Sequence, residues 1–499
     1  MALPENGAPW PPPEWAPVYA QMRVDDAWYS GDKRRLAAVY EHAPQPNARR
    51  NVWGRRSVDH AAPERDRRLH VPLPGDIAAT SADLLFADMP AITVDSTETQ
   101  TRLDELLDLG RVQQVLLSAG EQAAAMSGVY LRSTWDRAVA PDRPLLTVVQ
   151  PDRAVPEFFL GILRAVTFWQ ELSGSTLSTV WRHMERHAPG EVEHALYEGT
   201  PDNVGRRVPL TEHPVTRALV DSLDLDGSGA TGATVSTGIQ QLTASYVPNM
   251  LPNRLYRGSP LGRSDYGAPL YDQFASLDEV WTSWMRDILL ARARLIVPRG
   301  YLRDDGPGRG ATFDLDREVY DELNMPPNEG SGITLSQFAI RVEEHQRSAE
   351  AIMRQAAQSA GYSAQSFGLE GGGQPITATE SESRDQRSMV TRRKKAGYFR
   401  YGIAEQALAL LALDNAHFGR RNDLAAPVTV DFGDGVAESE QQTAITLDLL
   451  KRAESASAAT RVKILHPDWD DTAVKAEVAA ILAETGAAAP DPVGTFPMG

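Results

Sequence analysis

The chain has 499 residues, 42% of them hydrophobic and 23% charged, which is ordinary for a globular protein and enough for two to four compact units. Cysteine is absent, which excludes disulfides, thiolate zinc sites and a cysteine nucleophile. The formal charge of −17 is not the basic footprint with which conventional nucleic-acid binders neutralise phosphates. Any contact with DNA is therefore expected to be non-adhesive or confined to small basic patches.

Residues 1–20, MALPENGAPWPPPEWAPVYA, carry neither a basic n-region nor an apolar h-region, so no secretory signal is expected and the cytoplasm is the default compartment. No stretch reaches roughly 18 uninterrupted apolar residues, so no membrane span is expected. Residues 1–60 read as a Pro-rich, irregular arm with a short helix near Val18–Tyr29. From His70 the segment HVPLPGDIAATSADLLFADMPAITV predicts a helix starting after Pro74 and a stop at Pro90. Residues 101–126 predict one amphipathic helix, with Leu103, Leu106, Leu107, Val112, Val115, Leu116 and Ala119 on a single stripe.

From Gly128 to about Leu210 the period changes from 3.6 to 2. GVYLRSTWD, LLTVVQ, ILRAVTFWQEL, LSTVWRHMERH and EVEHALYEG read as strands, with a hairpin about Ala188-Pro189-Gly190. The Gly/Ser/Thr-rich stretch 224–238 reads as a loop, and 246–267 as extended chain. A helix begins near Ala268. Its Leu270, Phe274, Leu277, Trp281, Trp284 and Ile288 alternate in steps of four and three, the seam of a helix packed lengthwise against neighbours.

Residues 297–334 are polar, rich in Gly and Pro, and too few for a core of their own; they read as the cap of a helical hairpin. A second patterned helix follows, then the glycine-rich SAQSFGLEGGGQPITAT, then the charged helix ESESRDQRSMVTRRKKAGYFR. This layout reads as a mobile loop mounted on rigid struts. Helices at roughly 438–458, 459–465 and 472–485 and a disordered tail complete the chain.

Catalytic signatures are missing. His183 and His187 share an i, i+4 spacing and lie near His194, but Met184 stands where a zinc-protease helix would place glutamate, and the segment alternates like a hairpin. A polar sheet face is the simpler reading. Gly371-Gly372-Gly373 is followed by Gln374-Pro375 and not by the lysine and hydroxyl of a phosphate loop. No G-x-S-x-G elbow lies between a strand and a helix. Arg392, Arg393, Lys394 and Lys395 read either as a solvated helix face or as a patch that pairs with another subunit or faces phosphates. No enzyme activity, cofactor or resident metal is expected.

Several segments, in order, resemble the portal proteins of tailed bacteriophages of the actinobacteriophage type. They are HVPLPGDIAATSADLLF (70–86), SGVYLRSTWD (127–136), VQPDRAVPEF (149–158), VWRHMERHAPGEVEHALYEGT (180–200), ITLSQFAIRVEEH (333–345), AGYSAQSFG (360–368), TATESESRDQRSMVTRRKK (377–395) and VKILHPDW (462–469). The resemblance implies an α+β portal fold. Residues 1–60 would be an arm, 61–265 the wing and 266–296 the first stem helix. The clip would be 297–334, the second stem helix 335–360 and the tunnel loop 361–377. A long wing helix would occupy 378–430, the crown 431–486, and a tail 487–499.

It also implies a homo-oligomeric ring, about twelve copies, at one vertex of the virion, assembled in the host cytoplasm. Such a ring conducts double-stranded DNA during packaging and ejection. Its partners would be the terminase, head–tail adaptor proteins, and the major capsid and scaffolding proteins, with no membrane. Ser363, Gln365, Phe367, Glu370, Gly371, Gly372, Gly373 and Gln374 would form the tunnel loop. The Leu270–Ile288 seam would pack against adjacent stems, and the acidity would keep DNA from sticking. A different virion structural protein, such as a scaffold or adaptor, or a metal-dependent hydrolase using the 183–194 histidines, are the other readings.

Overall fold

The computed structural model describes residues 3–42, 68–222, 232–291, 294–296, 303–304, 311–312, 334–336, 340–369, 378–433, 447–453, 455–466, 469 and 471–484. In chain order the helices are α1 (Ala16–Ser30), α2 (Lys33–His42), α3 (Leu73–Phe86), α4 (Thr97–Leu109), α5 (Val112–Met126), α6 (Pro214–Ser222), α7 (Ala268–Leu290), α8 (Val342–Ala360), α9 (Ala378–Phe418), α10 (Ala458–Leu465) and α11 (Asp471–Glu484). The strands are β1 (Ala91–Thr93), β2 (Gly128–Thr134), β3 (Leu145–Val149), β4 (Ala154–Phe159), β5 (Ile162–Glu171), β6 (Val180–Ala188), β7 (Glu191–Thr200), β8 (Asn203–Val208), β9 (Gly232–Ser236), β10 (Ala244–Pro248), β11 (Arg294–Ile296), β12 (Arg303–Asp304), β13 (Ala311–Thr312), β14 (Thr334–Ser336) and β15 (Thr429–Asp431). The fold class is α+β. No described helix is long and apolar enough to cross a membrane.

Two compact units divide the chain, Met1–Gly433 and Asp434–Gly499. In the second, α10 is capped by Ser457, whose hydroxyl accepts from Thr460 N, and helical residues also occur at 447–452.

The first unit holds two main cores. One lies between the three-stranded sheet β10-β2-β3 and helices α4, α5 and α9, with Leu103, Leu116, Val129, Leu131, Phe399 and Leu411 buried. The other joins α1, α3, the start of α7 and the end of α8 through Trp28, Ile77, Leu270, Phe274, Ala356 and Ala360. A six-stranded antiparallel sheet, β4-β5-β6-β7-β8 with β9 added to β7, carries the period-2 segments, and the 188–190 turn joins β6 to β7.

α9 is 41 residues long, about 60 Å at the helical rise. It crosses β10 at Gly402, where a Cβ would stand 2.4 Å from Val247 Cγ2. Glycine is there because the backbones come too close for a side chain.

Four expectations are corrected. Residues 101–126 are two helices, α4 and α5, because Arg111 sits at a φ of 51° and turns the chain after Gly110. The arm is docked: Leu3 and Trp10 are buried against Tyr197 and Val204, Tyr197 Oη donates to Pro4 O at 2.8 Å, and α1 and α2 follow within 1–60. In the 224–238 stretch, Gly232–Ser236 is a strand that pairs with β7 residues 191–195, while 224–231 lie outside the described residues. The second long helix begins at Val342, and not at 335, because Thr334–Ser336 pairs with Arg294–Ile296 as a strand.

Candidate functional site at the root of the helical hairpin

α7 and α8 form an antiparallel hairpin, since β11 directly after α7 pairs antiparallel with β14 ahead of α8. Toward that closed end, Trp284 stacks on His345 at 6.1 Å. Asp287 accepts from His345 Nε2 at 3.0 Å and from Arg341 Nη2 at 2.9 Å. Those two partners, His345 first, hold the Asp287 carboxyl below its ordinary range. Toward the root, Ala349, Ala356 and Ala360 are buried in the same core as Leu270, Phe274 and Leu277. Small side chains let the two backbones approach. Much of the remaining surface of α8, including Glu343, Glu344, Gln346 and Arg347, is exposed.

At the root the chain leaves α8 through Gly361, at a φ of 103°, and docks on α9. Thr391 Oγ1 donates to Gly361 O at 2.6 Å, and Ser363 N donates to Ser388 Oγ at 2.9 Å. A 3₁₀ turn, Gln365–Phe367, brings Phe367 edge-on to Tyr362 at 6.3 Å. Beneath it lies a buried polar cluster. Lys395 Nζ donates to Asp265 Oδ2 at 2.6 Å, to Ser81 Oγ at 2.7 Å and to Tyr362 Oη at 2.9 Å. Tyr362 Oη also donates to Asp265 Oδ2 at 2.7 Å. Burial pushes the Lys395 ammonium down against the opposing pull of Asp265, and pushes the Tyr362 hydroxyl well up. The cluster ties α3, the segment before α7, the turn after α8 and the middle of α9 at one point.

Of the expected loop residues, Ser363, Gln365 and Phe367 are not on a free loop. Backbone and serine hydrogen bonds hold this segment against α9. Glu370, Gly371, Gly372, Gly373 and Gln374 lie outside the described residues.

The Leu270–Ile288 seam divides. Leu270, Phe274 and Leu277 fill the chain's own core, Trp281 and Trp284 are half-buried beside each other, and Ile288 is exposed. Its first half is therefore not available to a neighbouring stem.

The basic run is not one surface. Arg392 is buried and donates to Leu84 O, Phe432 O and Gly433 O, and Lys395 is buried in the cluster above, whereas Arg393 and Lys394 are exposed. Helical spacing explains the split. Arg392 and Lys395 continue the inward stripe of Phe399 and Ile403 at steps of three and four. That stripe was the sequence signal for them. Asp265, Tyr362 and Ser81 carried none, because they meet only in the tertiary fold.

The histidines line a second feature, an open cleft of ≈ 720 Å³ beside the six-stranded sheet. His183 Nε2 and His194 Nδ1 lie 3.2 Å apart with stacked rings. His187 bridges Thr243 Oγ1 at 2.6 Å and Glu185 Oε1 at 2.8 Å, and Arg132 Nη1 reaches Glu185 Oε2 at 2.7 Å. Burial pushes His183 down and His194 to about 4. Burial raises Glu185, but Arg132 and His187 outweigh it and leave the carboxyl well below its ordinary range. Among the described residues no group of three or more His, Asp or Glu is placed to hold a metal ion. Each imidazole is already engaged by a neighbour, as in a polar sheet face.

No protein-family model and no curated protein matches the chain. Among solved structures, it is similar to a chain in the virion of a native gene transfer agent particle, at 12% identity and a TM-score of 0.42, over 87% of this chain and 98% of that one. It is also similar to a chain in the neck of an empty particle of that agent computed with C6 symmetry, at 13% identity and a TM-score of 0.43, over the same shares. A third is in the neck of the native particle computed with C12 symmetry, at 12% identity and a TM-score of 0.39, over 86% of this chain and 97% of that one.

Proposed function

We propose that the chain is the subunit of a portal ring at one vertex of a phage-type virion, a conduit for double-stranded DNA and a platform for its packaging and tail-joining partners. The observation that carries this reading is the hairpin. Two helices rise from a pinned root, close at their far end through β11 and β14, and return to a docked turn that leads into a 41-residue helix. Such a layout suits a tube wall, because each copy contributes one rigid post and rotation closes the circle. The polar outer surface of α8 suits a helix lying beside other copies.

In this reading residues 61–265 serve as the wing, and α7 (Ala268–Leu290) with α8 (Val342–Ala360) as the stem. Residues 297–334 form the clip, facing the terminase and later the head–tail adaptors. The segment 361–377 approaches DNA, 378–430 spans the wing, and 431–486 forms the crown toward capsid and scaffolding proteins. The acidic charge of the chain limits counterion release, so DNA slides without adhering. The ring does no catalysis of its own.

The test is the mass of the native particle by light scattering, with negative-stain images. At 54.6 kDa per chain, a twelve-subunit ring weighs about 655 kDa. A holed particle near that mass is expected. A monomer at every salt concentration that also fails to assemble with capsid and scaffolding proteins overturns the reading. Deleting Gly371–Gly373 should leave rings intact and impair packaging or DNA retention.

A further inference from the structure

Lys395 and Asp265 meet with 1% of each side chain exposed and 2.6 Å between Nζ and Oδ2. The surrounding groups are those that an acyl transfer needs. Asn249 Nδ2 donates to Asp265 Oδ1 at 2.9 Å, polarising the carbonyl. The Tyr362 hydroxyl touches both partners, Nζ at 2.9 Å and Oδ2 at 2.7 Å. Ser81 Oγ holds the amine from a further side at 2.7 Å.

We propose that Lys395 and Asp265 condense to an intramolecular isopeptide bond, Nζ to Cγ, with loss of one water. The step begins with proton transfer along the short contact, from the ammonium to Oδ2, which leaves a neutral amine and a carboxylic acid. Burial lowers the lysine against the opposing pull of Asp265, which favours release of that proton. The amine lone pair then attacks Cγ. Charge that develops on Oδ1 is met by the Asn249 N–H. Tyr362 accepts a proton from Nζ and returns its own to Oδ2, acting as the shuttle. The Cγ–Oδ2 bond breaks and water departs with two of the three ammonium hydrogens, while Nζ keeps the third. Nothing is oxidised or reduced and no co-reactant is needed. Holding amine and acyl group in contact supplies the proximity that the same reaction lacks between free molecules.

The bond would close the chain from 265 to 395 into one covalent loop that contains the whole hairpin. Its root could then not be drawn out of the body by axial force. This inference stands on the cluster alone and is independent of the portal reading.

An ion pair and an amide place the same two residues together but differ in mass. Full-length protein, folded, stored and then denatured, should weigh one water less than its sequence. A protease digest should yield a branched peptide joining the segments around Asp265 and Lys395. Lys395→Arg should restore the full mass. Tyr362→Phe keeps the ion pair and should slow condensation by about 100-fold. Unmodified wild-type mass after prolonged storage overturns the proposal, as does a one-water loss that maps to an Asp–Gly step such as Asp226-Gly227. Full condensation in Tyr362→Phe would remove the tyrosine from the mechanism.

Discussion

Arg102 on α4 holds the carboxylate of Asp414 on α9 in a two-pronged grip, with Nε to Oδ2 and Nη2 to Oδ1 each at 2.9 Å. The aspartate side chain is fully buried, and Asn422 Nδ2 also donates to it at 3.0 Å. The pair fastens the far end of the long helix to the helical layer beneath it. Its value to the fold is conditional, because two desolvated charges roughly cancel their own attraction.

Removing one partner is therefore far worse than removing both. Arg102→Ala leaves a buried anion uncompensated and should cost about 3–5 kcal/mol, whereas Arg102→Met with Asp414→Leu should lie within about 1–2 kcal/mol of wild type. Denaturant midpoints followed by tryptophan fluorescence measure both. A single variant no weaker than the double one would contradict the grip as described.

The basic run on α9 gives a second contrast. Arg392 supplies donors to three carbonyls, of Leu84, Phe432 and Gly433. Arg392→Met removes all three bonds and strands the buried Phe432 carbonyl, and should cost about 2–4 kcal/mol. Arg393→Ala and Lys394→Ala, on the exposed side, should change stability by less than about 0.5 kcal/mol. Thermal melts of the three variants check the order. Equal effects would mean that the run is one surface after all.

Charge leaves this run open between a solvated helix face and a patch that meets another subunit or phosphates, yet the stripe from Arg392 through Phe399 lies in its spacing. The six-stranded sheet was legible for a simpler reason. Alternation is a local signal, and the turn at 188–190 marks its own hairpin. β9 was hidden because Gly232-Ala233-Thr234 has the composition of a loop and becomes a strand only by adding to the edge left by β7. The docking of Leu3 and Trp10 had no local signal, since their partners lie near residues 184–204. The Lys395 cluster is hidden for the same reason, being assembled from four separated segments.

Gly402 tests how closely α9 lies on the sheet. A Cβ there would meet Val247 Cγ2 at 2.4 Å, and Ser245 Oγ donates to Gly402 O at 3.2 Å. Helix propensity alone would make Gly402→Ala stabilising by about 1 kcal/mol. The overlap should reverse that sign and cost about 1–3 kcal/mol, as overpacking does. Val247→Ala in the same chain should recover part of the loss. A stabilised single variant would show that the helix stands farther from β10.

Two buried groups should make stability depend on pH in opposite senses. Asp25 on α1 is buried, donated to by Tyr271 Oη, and pushed up by burial from 3.8 to about 8. Its folded state holds the proton more tightly than the unfolded chain. Its contribution is therefore complete below about pH 3.8 and is lost as pH rises toward 8. His194 is pushed down by burial from 6.5 to about 4. It contributes fully above about pH 6.5 and loses that contribution as pH falls toward 4. Asp25→Asn mimics the protonated side chain and should match wild type near pH 4 while gaining stability at pH 8. His194→Gln should flatten the acid limb between pH 6.5 and 4 and leave the alkaline limb unchanged. Denaturation midpoints across pH 4–9 separate the two variants. An alkaline limb unmoved by Asp25→Asn would mean that this carboxyl is already ionised in the folded protein.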